Sequence, residues 1–121
     1  RLALEEYDTA RGWLTRTTEL LDQATLAEVH GYLGQVDQAQ ERYSSGIAHY
    51  SLAQDLDPGR AAFRYRLATL YDAYYADRAR VRQAYESFLA SADSSALPDE
   101  YVHAQERLRQ MREESHMREE R

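Results

Sequence analysis

The chain has 121 residues, 43% of them hydrophobic and 30% charged, with a formal net charge of −6. That length suits one compact domain, able to bury roughly two-thirds of its unfolded surface without a metal or disulfide. It contains no cysteine, which excludes disulfide scaffolds, thiolate zinc sites, iron–sulfur clusters and thiol nucleophiles together.

Apolar runs are three or four residues at most, so neither a membrane span nor a signal-peptide core is present. The start at Arg1 rather than Met is expected of an excerpt, from which a leader could have been removed. A soluble protein is expected, with cytoplasm and periplasm both compatible. All 15 Lys/Arg positions are arginine, and asparagine is missing too. Lysine and asparagine have AT-rich codons, so a GC-rich bacterial source is expected. Isoleucine and valine are sparse, and two prolines and five glycines leave long unbroken stretches. The composition is that of a helical protein.

Turn signals divide the chain. Residues 2–33 read as one helix or two, with Gly12 or Asp22 as the break; Ala3, Tyr7, Ala10, Leu14, Thr17, Leu21 and Ala24 make one face. Gly34, followed by Gln35-Val36-Asp37, reads as a helix end and the start of the next helix. Ala39, Tyr43, Gly46, Ile47, Tyr50 and Ala53 stripe that second helix, which Asp57-Pro58-Gly59 ends. Phe63, Leu67, Leu70 and Tyr74 stripe the next. Its other side carries Ala62, Tyr65, Thr69, Asp72 and Ala76, so it is expected to be sandwiched between neighbours or to line a groove. A weak break at Ala76-Asp77 precedes a helix marked by Val81, Tyr85, Phe88 and Leu89. A loop of small polar residues, 91–97, leads to Pro98 in the first turn of the last helix, where Asp99 and Glu100 suit the helix dipole. Tyr101, Ala104, Leu108 and Met111 stripe this helix. Residues 113–121 form a charged tail, read as a solvated helical extension or a frayed end.

Charge is uneven along this plan. Residues 1–59 carry four Arg against ten Asp/Glu; residues 60–82 carry six Arg against Asp72 and Asp77; residues 83–121 carry five Arg against nine acids. The overall acidity argues against nucleic acid, which wants a continuous basic stripe. The central basic segment either balances its acidic neighbours or meets an acidic partner.

The hairpins are self-similar. Leu26-Ala27, Gly34, Ala39, Tyr43 and Gly46 have as counterparts Leu67-Ala68, Ala76, Val81, Tyr85 and Phe88, 41 to 42 residues on. This pattern resembles the tetratricopeptide repeat family. In that family a Leu and a small residue in the first helix precede a glycine-led turn. The second helix then carries a small residue, an aromatic four later and a small residue three later, and a proline often ends the unit. The spacing exceeds the family's common period of about 34, which implies a second helix longer by roughly two turns, a long-period variant. Ala76 replaces the turn glycine, and Val81 and Phe88 are bulkier than usual. The resemblance implies an all-α array of antiparallel hairpins stacked as a short superhelix of five to six helices. One domain, 1–112, would hold repeat copies at about 24–58 and 60–91 and a capping helix at about 98–112. An antiparallel bundle sharing this spacing is the alternative.

Catalytic chemistry finds no assembled motif. His30, His49, His103 and His116 are scattered, with no pair at the i, i+3 or i, i+4 spacing that places two ligands on one helical face. Ser44-Ser45 and Ser94-Ser95 lack a glycine elbow, and no glycine-rich phosphate loop exists. No metal, cofactor or enzymatic activity is therefore expected. Ten tyrosines against two phenylalanines suit an interface instead. The resemblance implies a groove lined by the first helix of each hairpin, here Glu28 and Tyr32, then Tyr65, Thr69 and Asp72, with Arg64 and Arg66 flanking it. The chain lacks the lysine and asparagine with which chaperone-binding members clamp a carboxylate. A non-catalytic scaffold or adaptor binding a protein or peptide partner is the expectation; a self-assembling module, such as a homodimer, is the alternative.

Overall fold

A computed structural model of the chain describes residues 23–120, most of which lie in five helices. They are α1 (Gln23–Ala39), α2 (Tyr43–Leu56), α3 (Ala61–Tyr74), α4 (Arg78–Ser91) and α5 (Pro98–Glu119). No strand occurs among the described residues. The expected face over Ala3 to Leu21, and the choice between one helix and two before Gly34, lie largely outside them.

Each helix packs chiefly on the next in sequence. The pairings run in opposite directions. Gly34 meets Tyr50 while Asp37 meets Gly46 across α1 and α2; Tyr50 meets Phe63 while Tyr43 meets Tyr74 across α2 and α3. Across α3 and α4, Tyr65 meets Phe88 while Asp72 meets Tyr85. The described chain is thus a series of antiparallel helices joined by short turns.

The turns explain where the helices stop. Gly34 does not end α1, contrary to the sequence expectation; it is buried in the helix interior. A Cβ there would lie 2.8 Å from the Tyr50 ring, and one at Gly31 would lie 2.7 Å from Phe63. Both glycines serve close helix approach rather than a turn. The helix ends with Glu41 in the left-handed region, φ 60°. Arg42 N donates to Asp37 O at 2.8 Å and Glu41 N to Gln38 O at 3.1 Å. That is a Schellman end, with glutamate at the position glycine usually takes. Ala39, placed by sequence on the second helix, is the exposed last residue of α1.

The break at Asp57-Pro58-Gly59 separates α2 from α3 as expected. Asp77 caps α4, its Oδ1 accepting from Ala79 N at 3.1 Å and Arg80 N at 3.4 Å. In the loop before Pro98, Asp93 Oδ1 accepts from Ser95 N and Ser95 Oγ. Pro98 opens α5, with Asp99 and Glu100 in the first turn. The helix persists to Glu119, and residues 112–120 are exposed throughout.

Two apolar clusters hold the helices. The first joins Ala27, Tyr50, Ala53, Phe63, Leu67 and Leu70 from α1, α2 and α3. The second joins Ala68, Val81, Tyr85, Phe88, Ala104 and Met111 from α3, α4 and α5. Tyr71 packs against both. So α3 is the sandwiched helix, although Tyr74, expected on its stripe, is 51% exposed.

Buried residues also recur at a shorter spacing than the one read from the sequence. Buried Gly34 and Ala68 are 34 residues apart, and the buried triplet Gly46, Tyr50 and Ala53 has its counterpart 35 residues on in Val81, Tyr85 and Phe88. The 41–42-residue pairing instead matches the start of α1 with the middle of α3, and the start of α2 with the middle of α4.

Candidate functional site

The seven residues singled out in the sequence do not form one open face. On α1, the Tyr32 hydroxyl donates to Glu28 Oε1 at 3.3 Å, and both side chains are exposed. On α3, Arg64 Nη1 donates to the carbonyl of Pro58 at 2.5 Å, bracing the turn behind it. Arg66 is exposed, its guanidinium 5.7 Å from the centre of the Tyr65 ring. Thr69 links α3 to α1: its hydroxyl accepts from Gln38 Nε2 at 3.4 Å and donates to Arg66 O at 2.8 Å.

Tyr65 and Asp72 face α4 and α5 rather than an open groove. The Tyr65 ring lies 5.2 Å from that of Phe88, and its hydroxyl is 2.7 Å from His103 Nδ1 on α5. Burial, with a smaller effect from Glu100, raises the Tyr65 phenol above its ordinary value. Asp72 is the centre of a polar network spanning three helices. Oδ2 accepts from Arg107 Nε at 2.7 Å and the Tyr85 hydroxyl at 2.9 Å; Oδ1 accepts from Arg107 Nη2 and Arg78 Nη1, each at 3.0 Å. Four donors fill both carboxylate oxygens. Burial pushes the Asp72 carboxyl up, but the hydrogen bonds from Arg107, Tyr85 and Arg78 outweigh it and hold the group below its ordinary value. Burial, and then Asp72 itself, push the Tyr85 phenol well above the tyrosine range. Arg78 also donates to the carbonyls of Asp72 and Tyr75, tying the start of α4 to the end of α3.

A second polar group lies inside the first hairpin. Asp37 is buried; its Oδ2 accepts from the Ser45 hydroxyl at 2.7 Å and its Oδ1 lies 3.5 Å from Arg42 Nε. His49 Nε2 is 3.8 Å from Asp37 Oδ2, and His49 Nδ1 is 3.2 Å from His30 Nδ1. Single-helix spacing hid this pair, because its members sit on different helices. Arg107 was legible only as the polar neighbour of Leu108 on the α5 stripe.

Among the described residues, two surfaces stay open. Val29, Tyr32, Leu33 and Val36 stripe α1 with exposures of 43 to 61%. Between α4 and the overhanging end of α5 lies an open groove of about 900 Å³, walled by Arg82, Glu86, Arg112 and Arg118 around Met111 and Met117. Among the described residues, no three His, Cys, Asp or Glu side chains are grouped to hold a metal, and no buried side-chain nitrogen or oxygen lacks a hydrogen-bond partner. No helix among them is long and apolar enough to cross a membrane.

Comparison of the chain with protein-family models, curated proteins and solved structures found no match.

Proposed function

We propose that the chain is a non-catalytic interaction module, a short tetratricopeptide-like array that presents a surface to a protein or peptide partner. The observation that carries the reading is the shorter spacing at which buried residues recur. Leu33-Gly34 and Leu67-Ala68 are each a leucine followed by a small residue in the first helix of a hairpin. In α2, Gly46, Tyr50 and Ala53, followed by Pro58, have the family's order of small, aromatic, small and proline. A 34- to 35-residue spacing equals the family's common period of about 34, so no lengthened helix is needed. In this reading the hairpins stack as a superhelix and α5 closes the array.

The binding surface follows from what is occupied. Tyr65 and Asp72 are engaged by α4 and α5, whereas Tyr32 and its apolar neighbours on α1 present side chains outward. A stripe of this kind suits an amphipathic partner segment. The test is capture with wild-type bait beside a Tyr32→Ala, Leu33→Glu variant that circular dichroism shows to be folded. A specific partner kept by the first bait and lost by the second supports the reading; partners shared by both overturn the assignment to α1.

The same exposed stripe supports the second reading, self-assembly, in which two copies cover it mutually. Light scattering across concentrations separates the two: a dimer that survives dilution and is abolished by Leu33→Glu favours self-assembly.

A further inference from the structure

His30 and His49 are 19 residues apart in sequence, yet their Nδ1 atoms are 3.2 Å apart across the α1–α2 hairpin. Their ring centroids are 5.4 Å apart and the ring planes are inclined by only 24°. That centroid distance nearly equals the nitrogen separation plus a ring radius at each end. The two nitrogens therefore point at one another across nearly coplanar rings, rather than the rings lying face to face.

The far side of His49 is also occupied. Its Nε2 lies 3.8 Å from Asp37 Oδ2, and Asp37 is anchored by the Ser45 hydroxyl while Arg42 lies beside its other oxygen. A carboxylate in this place favours a proton on Nε2 and leaves the Nδ1 lone pair turned toward His30. At 3.8 Å the carboxylate lies beyond hydrogen-bond length and acts on the ring through its charge. Two nitrogens bound at about 2.0–2.1 Å to a tetrahedral zinc ion stand about 3.3 Å apart, close to the 3.2 Å found here.

We propose that His30 and His49 form a two-imidazole site for a borderline transition-metal ion, Zn²⁺ foremost, that clamps α1 to α2, with Asp37 orienting His49. Imidazole nitrogen suits zinc and copper. With the nitrogens held 3.2 Å apart, each ring pivots by roughly 35–40° so that both Nδ1 lone pairs aim at the ion rather than at each other. The proton between them moves to His30 Nε2, so the neutral pair loses none. Water completes the coordination, and the His49 side chain is 30% exposed, which gives the ion access.

The experiment uses the untagged chain, stripped with a chelator and titrated calorimetrically with ZnCl₂. One equivalent should bind and raise the melting temperature. His30→Ala and His49→Ala should each weaken binding at least about 10-fold, and Asp37→Asn should weaken it less, through loss of a nearby negative charge. Should a variant fail to fold, paramagnetic Cu²⁺ added to the wild-type chain supplies an independent readout: the imidazole signals of His30 and His49 should broaden first. Absence of saturable zinc binding overturns the site. So does broadening confined to His103 and His116.

Discussion

Arg107 meets Asp72 side-on across 35 residues of chain, Nε donating to one carboxylate oxygen at 2.7 Å and Nη2 to the other at 3.0 Å. The paired geometry matches the planar fork of guanidinium to the planar carboxylate. It places a charged pair where α5 closes over α3, with side chains only 22% and 16% exposed. Removing one member leaves the other charged and poorly solvated. Arg107→Ala should therefore destabilise the fold by about 1–3 kcal/mol in urea denaturation, the lower end reflecting residual solvent screening. Arg107→Lys should recover only part of this, since an ammonium cannot reproduce the fork. A loss below about 0.5 kcal/mol, the size of an ordinary surface change, would show that the pair does not hold α5.

Acid should weaken the same contact. The folded-state carboxyl of Asp72 lies below its ordinary value, so its contribution is complete above the unfolded aspartate range near about pH 4 and is lost as pH falls through the lower folded value. Denaturation midpoints at pH 7 and pH 3 should differ less for Asp72→Asn than for the wild-type chain. Equal differences would separate the acid sensitivity from Asp72.

Alkali acts with the opposite sign on the tyrosines. Burial raises the phenols of Tyr50, Tyr65 and above all Tyr85. The unfolded chain releases these protons near about pH 10 while the folded chain keeps them, so stability should fall as pH rises past that value. Ultraviolet titration should show these tyrosines ionising together with unfolding. Tyr85→Phe should reduce the alkaline sensitivity and cost about 1 kcal/mol at neutral pH, where Asp72 loses one donor. Ionisation of all tyrosines with the helical signal intact would contradict the burial.

Gly34→Ala sets two effects against each other. Alanine improves helix propensity by about 0.8–1 kcal/mol, but its methyl would lie 2.8 Å from two carbons of the Tyr50 ring. Overpacking of this kind typically costs about 1–3 kcal/mol, so the net effect should be destabilising in thermal melts. Gly59→Ala, with nothing within 4 Å of the added methyl, is the control and should change little. Stabilisation by Gly34→Ala would mean that α1 and α2 lie further apart.

Glu41→Gly should do the reverse. Glu41 holds a left-handed φ of 60° to complete the end of α1, a conformation that L-residues other than glycine adopt at a cost of about 1–2 kcal/mol. Glycine forfeits part of that gain to unfolded-state entropy, leaving an expected stabilisation of about 0.5–1 kcal/mol. An unchanged melting temperature would count against the Schellman end.

The contrast between Gly34 and Glu41 shows why the helical class was legible and the register was not. Periodicity identified Phe63, Leu67 and Leu70 as one face, and Val81, Tyr85 and Phe88 as another, and all six are buried. Asp57-Pro58-Gly59 and Pro98 marked boundaries correctly, because proline acts through its own ring and missing donor. Glycine is ambiguous: it serves a left-handed turn or a close helix contact. With glutamate at the turn, nothing local distinguished the two, and the spacing read from the sequence is seven residues longer than the one at which the buried residues recur. The surroundings of Tyr65 and Asp72 were illegible for a different reason. Tyr65 and Asp72 were picked out as unusual on α3, but periodicity names a face without naming what covers it. Arg107, 35 residues on from Asp72, supplied the cover.

Tyr71 touches both apolar clusters, and α3 contributes side chains to each. Linear arrays often melt piecemeal from their ends, because each unit leans only on its neighbours. Here the central helix belongs to both halves. Loosening the first hairpin strips α3 of Phe63, Leu67 and Leu70 contacts and thereby unseats Ala68 and Tyr71 from the second. The described helices should therefore melt in a single sigmoidal transition, with far-ultraviolet and near-ultraviolet signals superimposed. That cooperativity is what keeps one hairpin from yielding alone.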